Sequence, residues 1–477
     1  MKTLRWAIAS SLVGALFAGT AMAQATMSYP VQQPSSIQQM AFQADDSAGY
    51  AAADPLPAAP SASPSNQPPA PPAAKAEEKP AAEKPKEEEK KEEEKPAEEG
   101  PYKLFHGPWL DCEHLDIRGY AEVGYTNNPA YPLSGFNGPD GYNDLSNQVV
   151  LDQLYLIAER VAKVDNDCGV DYGYRADVMF GTDAHFVQTT PGTEWDSTWS
   201  GGSPFYGLAM PQLYGTLAYN KLTLQGGHFY APCGYENPMP TENFFYSHTY
   251  GFLYGMPTTL TGGQATYKLQ DKLLVNAGFD TGWNEFKALN GKINAMFGVN
   301  WTSKDDKINV TSEWFIGNTQ PAGIDSTRTE CCTDITLKLG DKWHYILENT
   351  VCHDSNQNGT GPASWTGWSN YLLYDINDCW GFGMRYEYFE DLDGAVVPAV
   401  GLPPTTVGIA AFPTPVLGSK YNDVTLGLNW KPNKNVTLRT EVRWDWAENS
   451  GVAGAKPYND GSSNSQFLWG NDVVVRF

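Results

Sequence analysis

From residue 115 to its C-terminus the sequence alternates on two scales, and few shapes satisfy both. The finer period is two residues. Val436, Leu438, Val442, Trp444 and Trp446, with Thr440 among them, share one parity; Thr437, Arg439, Glu441, Arg443 and Asp445 hold the other. Successive strand side chains point to opposite faces, so one face is apolar and the other charged. The split recurs at Val170, Tyr172, Tyr174, Ala176, Val178 and Phe180 against Asp171, Arg175 and Asp177. Phe382, Met384, Tyr386 and Tyr388 oppose Arg385 and Glu387, and Val424, Leu426, Leu428 and Trp430 oppose Asp423, Thr425 and Asn429.

On the coarser scale, about sixteen candidate strands begin near Leu115, Val149, Val170, Pro211, Leu222, Thr259, Leu273, Ile293, Ile308, Thr329, Lys342, Trp365, Trp380, Tyr421, Val436 and Phe467. Every second connection is tight and polar, as at 164–167, Asn220-Lys221, Gln270-Asp271, 304–306, Gly340-Asp341, Asn377-Asp378 and Asn433-Lys434. Those between are mostly long, such as 126–148, 182–210, 230–258 and 390–419. A soluble sandwich also alternates its side chains, but its Greek-key connections give no reason for this rhythm. Short turns on one rim and long loops on the other are expected of a membrane barrel. Residues 113–477 leave about 23 residues for each strand and its connection. Tilted membrane strands use roughly 9–11 of them. The expected fold is therefore all-β: an up-and-down antiparallel transmembrane barrel of about 16 strands, both ends facing the periplasm. Closure removes the edge strands that hydrocarbon forbids.

The first hundred residues differ. Of the 61 aromatic residues only five lie there, and 42 of the 46 glycines lie beyond it. Residues 1–23 read as a secretory signal peptide: Lys2 and Arg5, an apolar stretch from Ala7 to Phe17, then Ala21-Met22-Ala23 as a cleavage site. Residues 24–100 read as a disordered periplasmic tether, Pro/Ala-rich and then Glu/Lys-rich, with Pro80, Pro85 and Pro96 breaking any long helix. Residues 101–112 are a connector and 113–477 the barrel. No apolar run reaches the roughly 20 residues of a membrane helix. With 32 basic against 55 acidic residues, the chain repels phosphate, so nucleic acid is not an expected partner.

One segment is distinctive. Gly227-His228-Phe229-Tyr230-Ala231-Pro232-Cys233-Gly234-Tyr235-Glu236 continues through Asn243-Phe244-Phe245-Tyr246-Ser247-His248-Thr249-Tyr250 and Pro257-Thr258 to Gly262. It resembles the β-barrel porin family described as OmpL-like, with its Pro-x-Gly-x-Glu, Phe-Tyr-Ser-His and Thr-Gly series. Cys233 departs from the aliphatic residue expected there. The resemblance implies an outer-membrane barrel and a diffusion channel. By position, the segment occupies the long connection after the fifth strand. Its aromatics suit a loop folded into the lumen or packed on the rim better than an exposed one. Pro232, Gly234, Glu236, Glu242, Asn243, Phe245, Tyr246 and His248 are the candidate constriction residues, with a structural latch as the equal alternative.

Strand parity assigns Arg118, Glu122, Arg175, Asp177, Arg385, Glu387, Arg439, Glu441, Arg443 and Asp445 to the lumen, where fixed charges orient water and bias ion entry. Removing the leader's three charge blocks (+2, −3 and −4) from the −23 of the whole chain leaves −18 on the body, which favours cations. The chain ends on an alternating strand whose terminal Phe477 resembles an assembly signal. Trp301, Trp343, Trp380, Trp430 and Tyr421 are placed as interfacial aromatics. Cys331 or Cys332 falls nearly opposite Cys352 across a turn, so a cross-strand disulfide is expected there.

His228, His248, Glu236 and Glu242 lack metal-ligand spacing, and the calcium-loop-like 354–359 has Trp365 at its twelfth position rather than Glu. No nucleophile elbow, phosphate loop or zinc pattern appears, so no catalytic residue, metal or cofactor is expected. The leading expectation is a passive porin in the cell outer membrane, for small hydrophilic solutes or ions and biased to cations. Its expected partners are outer-membrane lipid, the barrel assembly machinery and small solutes; cell-wall contact through the tether and homo-oligomerisation stay open. A plugged structural or adhesive barrel whose loops bind partners is the alternative, followed by a secreted carbohydrate-binding β protein.

Overall fold

The computed structural model describes residues 104–163, 169–200, 203, 205–397, 418–449 and 456–477. The signal peptide, the tether, the turn at 164–167 and Cys168 lie outside the described residues. Within them a short helix, α1 (Pro108–Glu113), leads into sixteen strands. These are β1 (Asp116–Asn127), β2 (Val149–Arg160), β3 (Val170–Gly181), β4 (Gly207–Tyr219), β5 (Leu222–Tyr230), β6 (Thr259–Gln270), β7 (Leu273–Asp280) and β8 (Asn294–Thr302). They continue as β9 (Ile308–Gly317), β10 (Arg328–Lys338), β11 (Trp343–Asp354), β12 (Ala363–Asn377), β13 (Trp380–Asp391), β14 (Ser419–Asn433), β15 (Val436–Asn449) and β16 (Ser465–Arg476). Each strand pairs antiparallel with its neighbours in sequence, and β1 pairs with β16 to close the barrel. Phe477 extends that seam, exchanging backbone hydrogen bonds with Gly119 at 2.7 and 2.8 Å.

The two rims differ as the connection lengths imply. One carries the tight turns, such as Asn220-Lys221 and Asp271-Lys272; the other carries the connections 128–148, 182–206, 231–258, 281–293 and 392–418. No described helix is long and apolar enough to cross a membrane; the strands pair with their neighbours around the closed sheet, which leaves no edge.

Parity is as the sequence predicts. Val442, Trp444, Met384, Leu426 and Phe180 are exposed on the outside, while Arg175, Asp177, Arg385, Glu387, Arg443 and Asp445 are shut inside. Trp343, Trp380 and Trp430 face outward at the short-turn rim; Trp380 stacks on Trp430 at 5.7 Å and Trp343 meets Tyr374 at 4.4 Å. Tyr421 is a correction. It shares parity with Asp423 and points inward, packing against Tyr250 instead of joining the girdle. Leu426 lies mid-strand on the outer face, so Leu426→Arg should cost about 2–4 kcal/mol in refolding titrations from lipid vesicles. A cost near zero would mean that this face does not meet hydrocarbon.

The expected cross-strand disulfide is also corrected. Cys332 faces Thr350 and Cys352 faces Glu330, so the register sets the two cysteines diagonally, while Cys331 takes the opposite parity. Cys332 bonds instead to Cys233, 99 residues away in sequence, and Cys331, Cys352 and Cys379 carry free thiols.

Candidate functional site

The long connection 231–258 leaves β5 and turns into the barrel, where most of its length is buried. Its first fastening is the Cys233–Cys332 disulfide to β10. Next to it, the Tyr235 amide donates to Glu348 of β11 at 2.6 Å. Pro238 O then accepts from the Gln153 amide of β2 at 2.9 Å. In a ring of sixteen strands β2 and β10 lie eight apart, so within six residues the chain is held by opposing walls. The connection crosses the bore.

Glu236 anchors the centre. One carboxylate oxygen accepts from Arg385 Nη1 and Tyr371 Oη, both at 3.0 Å; the other accepts from His248 Nδ1 at 3.0 Å and the Thr249 amide at 2.9 Å. Burial would push this loop carboxyl upward, but the Arg385 guanidinium and His248 outweigh it and hold Glu236 down at about 2. Burial also keeps His248 below its ordinary value, so at neutral pH it faces Glu236 as an uncharged donor. The same Arg385 donates to Ser247 O at 2.6 Å and to Ser247 Oγ at 3.0 Å.

The other lumen charges meet the loop backbone. Arg439 donates to Pro240 O at 3.1 Å, Asn243 O at 3.2 Å and Phe245 O at 2.9 Å, while it pairs with Glu122 and Asp472 at 2.8 and 2.7 Å. Arg443 donates to His248 O at 2.5 Å and pairs with Asp445 at 2.8 Å. Glu441 accepts from the amides of Tyr246 and Ser247, each at 2.9 Å. Glu387 accepts from those of Tyr250 and Gly251, each at 2.7 Å. An irregular segment cannot satisfy its amides and carbonyls by itself, and buried ones left bare are costly. Here wall carboxylates take the amides and wall guanidiniums take the carbonyls. Aromatic side chains fill the remaining space. Phe244 packs beside Gly383, and Tyr246 lies so close to Gly124 that a Cβ there would stand 2.2 Å from its hydroxyl.

Six of the ten sequence-predicted lumen residues bond this loop: Arg385, Glu387, Arg439, Glu441, Arg443 and Asp445, the last accepting from Tyr250 Oη at 3.1 Å; Glu122 and Asp177 serve wall partners, Arg439 and Tyr155 among them. Arg175 pairs with Asp177 at 2.8 Å along its own strand and touches the loop only at Met239, where the sulfur accepts at 3.5 Å. Arg118 pairs with Asp116 and Glu159 at 2.7 and 2.6 Å away from the loop and remains half-buried. Within the loop, Pro232, Gly234, Phe245 and Tyr246 are buried, Asn243 braces it by donating to Asn237 O at 2.5 Å, and Glu242 stays partly exposed beside Thr241. Sequence reasoning missed Gln153, Glu348 and Tyr371, because parity was not extended along β2, β11 and β12. It had no signal for the disulfide, whose partners lie on separate elements.

A family model described as "Putative beta-barrel porin-2, OmpL-like" matches residues 114–477. The chain belongs to that porin family. Among solved structures it is similar to Pseudomonas putida OprB at high pH, with 11% identity, 80% of this chain and 100% of that one covered, and a TM-score of 0.51. It is similar too to an anion-selective porin from Comamonas acidovorans, with 10% identity, 76% and 99% covered, and a TM-score of 0.50. At such identities the likeness establishes the shared fold. No curated protein matches the chain by sequence. Family and fold together locate this porin in the outer membrane, with lipid around its strands.

Proposed function

We propose that this porin is a passive diffusion channel for small hydrophilic solutes or ions, narrowed by the connection 231–258 and biased toward cations. The observation that carries the reading is the fastening of one loop to opposing walls, at Gln153 and at Cys332 and Glu348. A loop spanning a bore reduces its cross-section and sets which side chains a permeant solute passes. The net −18 of residues after the leader supports the cation bias. Planar-bilayer recording of the purified protein should give discrete conductance steps, with a reversal potential in a salt gradient shifted toward the cation equilibrium value. An anion-directed shift would overturn the bias.

A second reading follows from the same loop, since its bonds reach β2, β3 and every strand from β10 to β16. In a plugged barrel with a structural or adhesive role, the long outer connections would bind partners. A folded, heat-modifiable barrel giving no conductance would favour it. We further propose that residues 1–23 are removed on export and that 24–100 act as a periplasmic tether. Phe477, at the end of the closing strand, would present the assembly machinery with its recognition feature.

A further inference from the structure

The outer wall of the barrel carries exposed apolar side chains at mid-strand, as at Leu156 of β2, Leu213 of β4, Met384 of β13, Leu426 of β14 and Val442 of β15. On β9–β11 it does not. Ser312, Thr333 and Asn349 stand at the middle of their strands and lie directly opposite one another in the register, Ser312 against Thr333 and Thr333 against Asn349. Their chain neighbours Glu313, Cys332, Asp334, Glu348 and Thr350 are buried inside, so strand alternation turns these three outward. Each is half-buried in the single chain.

Ser312 Oγ and Thr333 Oγ1 share one hydrogen bond at 2.9 Å, and beyond it the soft sulfur of Cys331 lies 3.8 and 3.7 Å from them. Asn349 Nδ2 donates to Gly367 O at 2.8 Å. A hydroxyl pair sharing one bond keeps a second proton to donate, and a carboxamide that donates keeps its oxygen to accept. Lipid tails offer neither partner, so a row of such groups at mid-bilayer is costly against hydrocarbon. Thr440 and Asn471 on β15 and β16 show how such a cost is met within one chain: they bond each other at 2.8 Å, and Trp469 Nε1 donates to Thr440 at 3.1 Å.

A second, independent feature singles out the same side. β5, β7, β8 and β9 run 9, 8, 9 and 10 residues, whereas β1–β4 run 12 or 13 and β11–β16 run 12–15. At roughly 3.3 Å per residue and a tilt of about 40°, eight residues climb about 20 Å, short of the roughly 25 Å apolar band of such barrels. A wall lower than the hydrocarbon brings its strand ends against lipid tails, and packing against another protein relieves that mismatch.

We propose that the outer face of β7–β11 is the contact between copies of this chain in the outer membrane, with the row Ser312, Thr333 and Asn349 at its centre. The occupant is a second copy because the row complements itself: serine, threonine and asparagine each donate and accept, so an identical row supplies the partners that hydrocarbon withholds. An identical low wall also matches in height. The contact uses only the outer face and holds whether the bore conducts or is plugged.

Benzoylphenylalanine in place of Val351, two residues from Asn349 on the same face, should on irradiation in isolated outer membranes give a band of two chains with linked peptides from β7–β12. The same probe in place of Leu426 should give no such band. Native mass spectrometry in mild detergent should find the full chain as a multiple of its own mass. Thr333→Leu together with Asn349→Leu should raise the concentration of half-dissociation about tenfold or more. Leucine suits a lipid-facing strand position, so the pair does not oppose folding, and heat-modifiable migration verifies closure. A Val351 probe that labels lipid alone or a different protein, a wild-type chain that stays single, or a double variant assembled like the wild type would each overturn the contact.

Discussion

Deleting Pro238 to Gly251 should raise single-channel conductance severalfold while the barrel still closes. The segment removed contains the chain that crosses between β2 and the opposite wall, with Phe244, Phe245 and Tyr246, and none of the sixteen strands. Sheet closure relies on backbone pairing between neighbouring strands, which the deletion leaves intact. It also frees Arg385, Arg439, Glu387 and Glu441 to face water instead of loop backbone. Planar-bilayer recording of the deleted and full chains, each verified by heat-modifiable migration, gives the comparison. Equal conductance in a folded barrel would mean that the segment is a latch on the wall and not a constriction.

Arg385→Ala should loosen the loop by about 3–5 kcal/mol, the usual cost of removing one partner of a buried ion pair. It removes the bonds to Glu236 and to both Ser247 oxygens in one step and leaves the buried Glu236 without its guanidinium partner. Proteolytic cutting within 231–258 should become faster, and the open-channel current noisier. Arg385→Lys should recover little, because a single ammonium cannot reproduce the planar fork that meets Glu236 and Ser247 together. Acid should act on the same anchor. With its carboxyl held down at about 2, Glu236 contributes fully above the ordinary glutamate value of roughly 4.3, and that contribution is lost as pH falls through about 2. Loop cutting that is indifferent to both Arg385→Ala and acid would show that the disulfide and the remaining bonds hold the segment by themselves.

The barrel was legible in the residues because its two determinants are local. Whether Arg439 looks inward and Leu438 outward depends on parity along a single strand, and the side of each connection depends on a count of turns. Even the strand starts at Val149, Val170, Leu222, Thr259, Leu273, Ile308, Trp380 and Val436 coincide with the structure. The loop was legible only as a location. Its aromatics and its Pro-x-Gly-x-Glu series marked the connection after the fifth strand, but its attachments were not written there.

Those attachments join residues far apart in the chain. Glu236 meets Arg385, Cys233 meets Cys332 rather than leaving that cysteine for Cys352, and Asn276 reaches Glu313 over a glycine. Tyr421 turned inward although its place near a strand end suggested lipid, because parity relative to Asp423 outweighs position along the strand. Alternation and turn spacing by themselves determined a membrane barrel, its short-turn and long-loop rims and the inward face of the lumen charges, since each needs only neighbours in sequence. Which charges meet the lumen loop, and which are left facing one another, was decided by closure of the sheet. Closure alone brings strands eight apart in the ring within reach of one short segment.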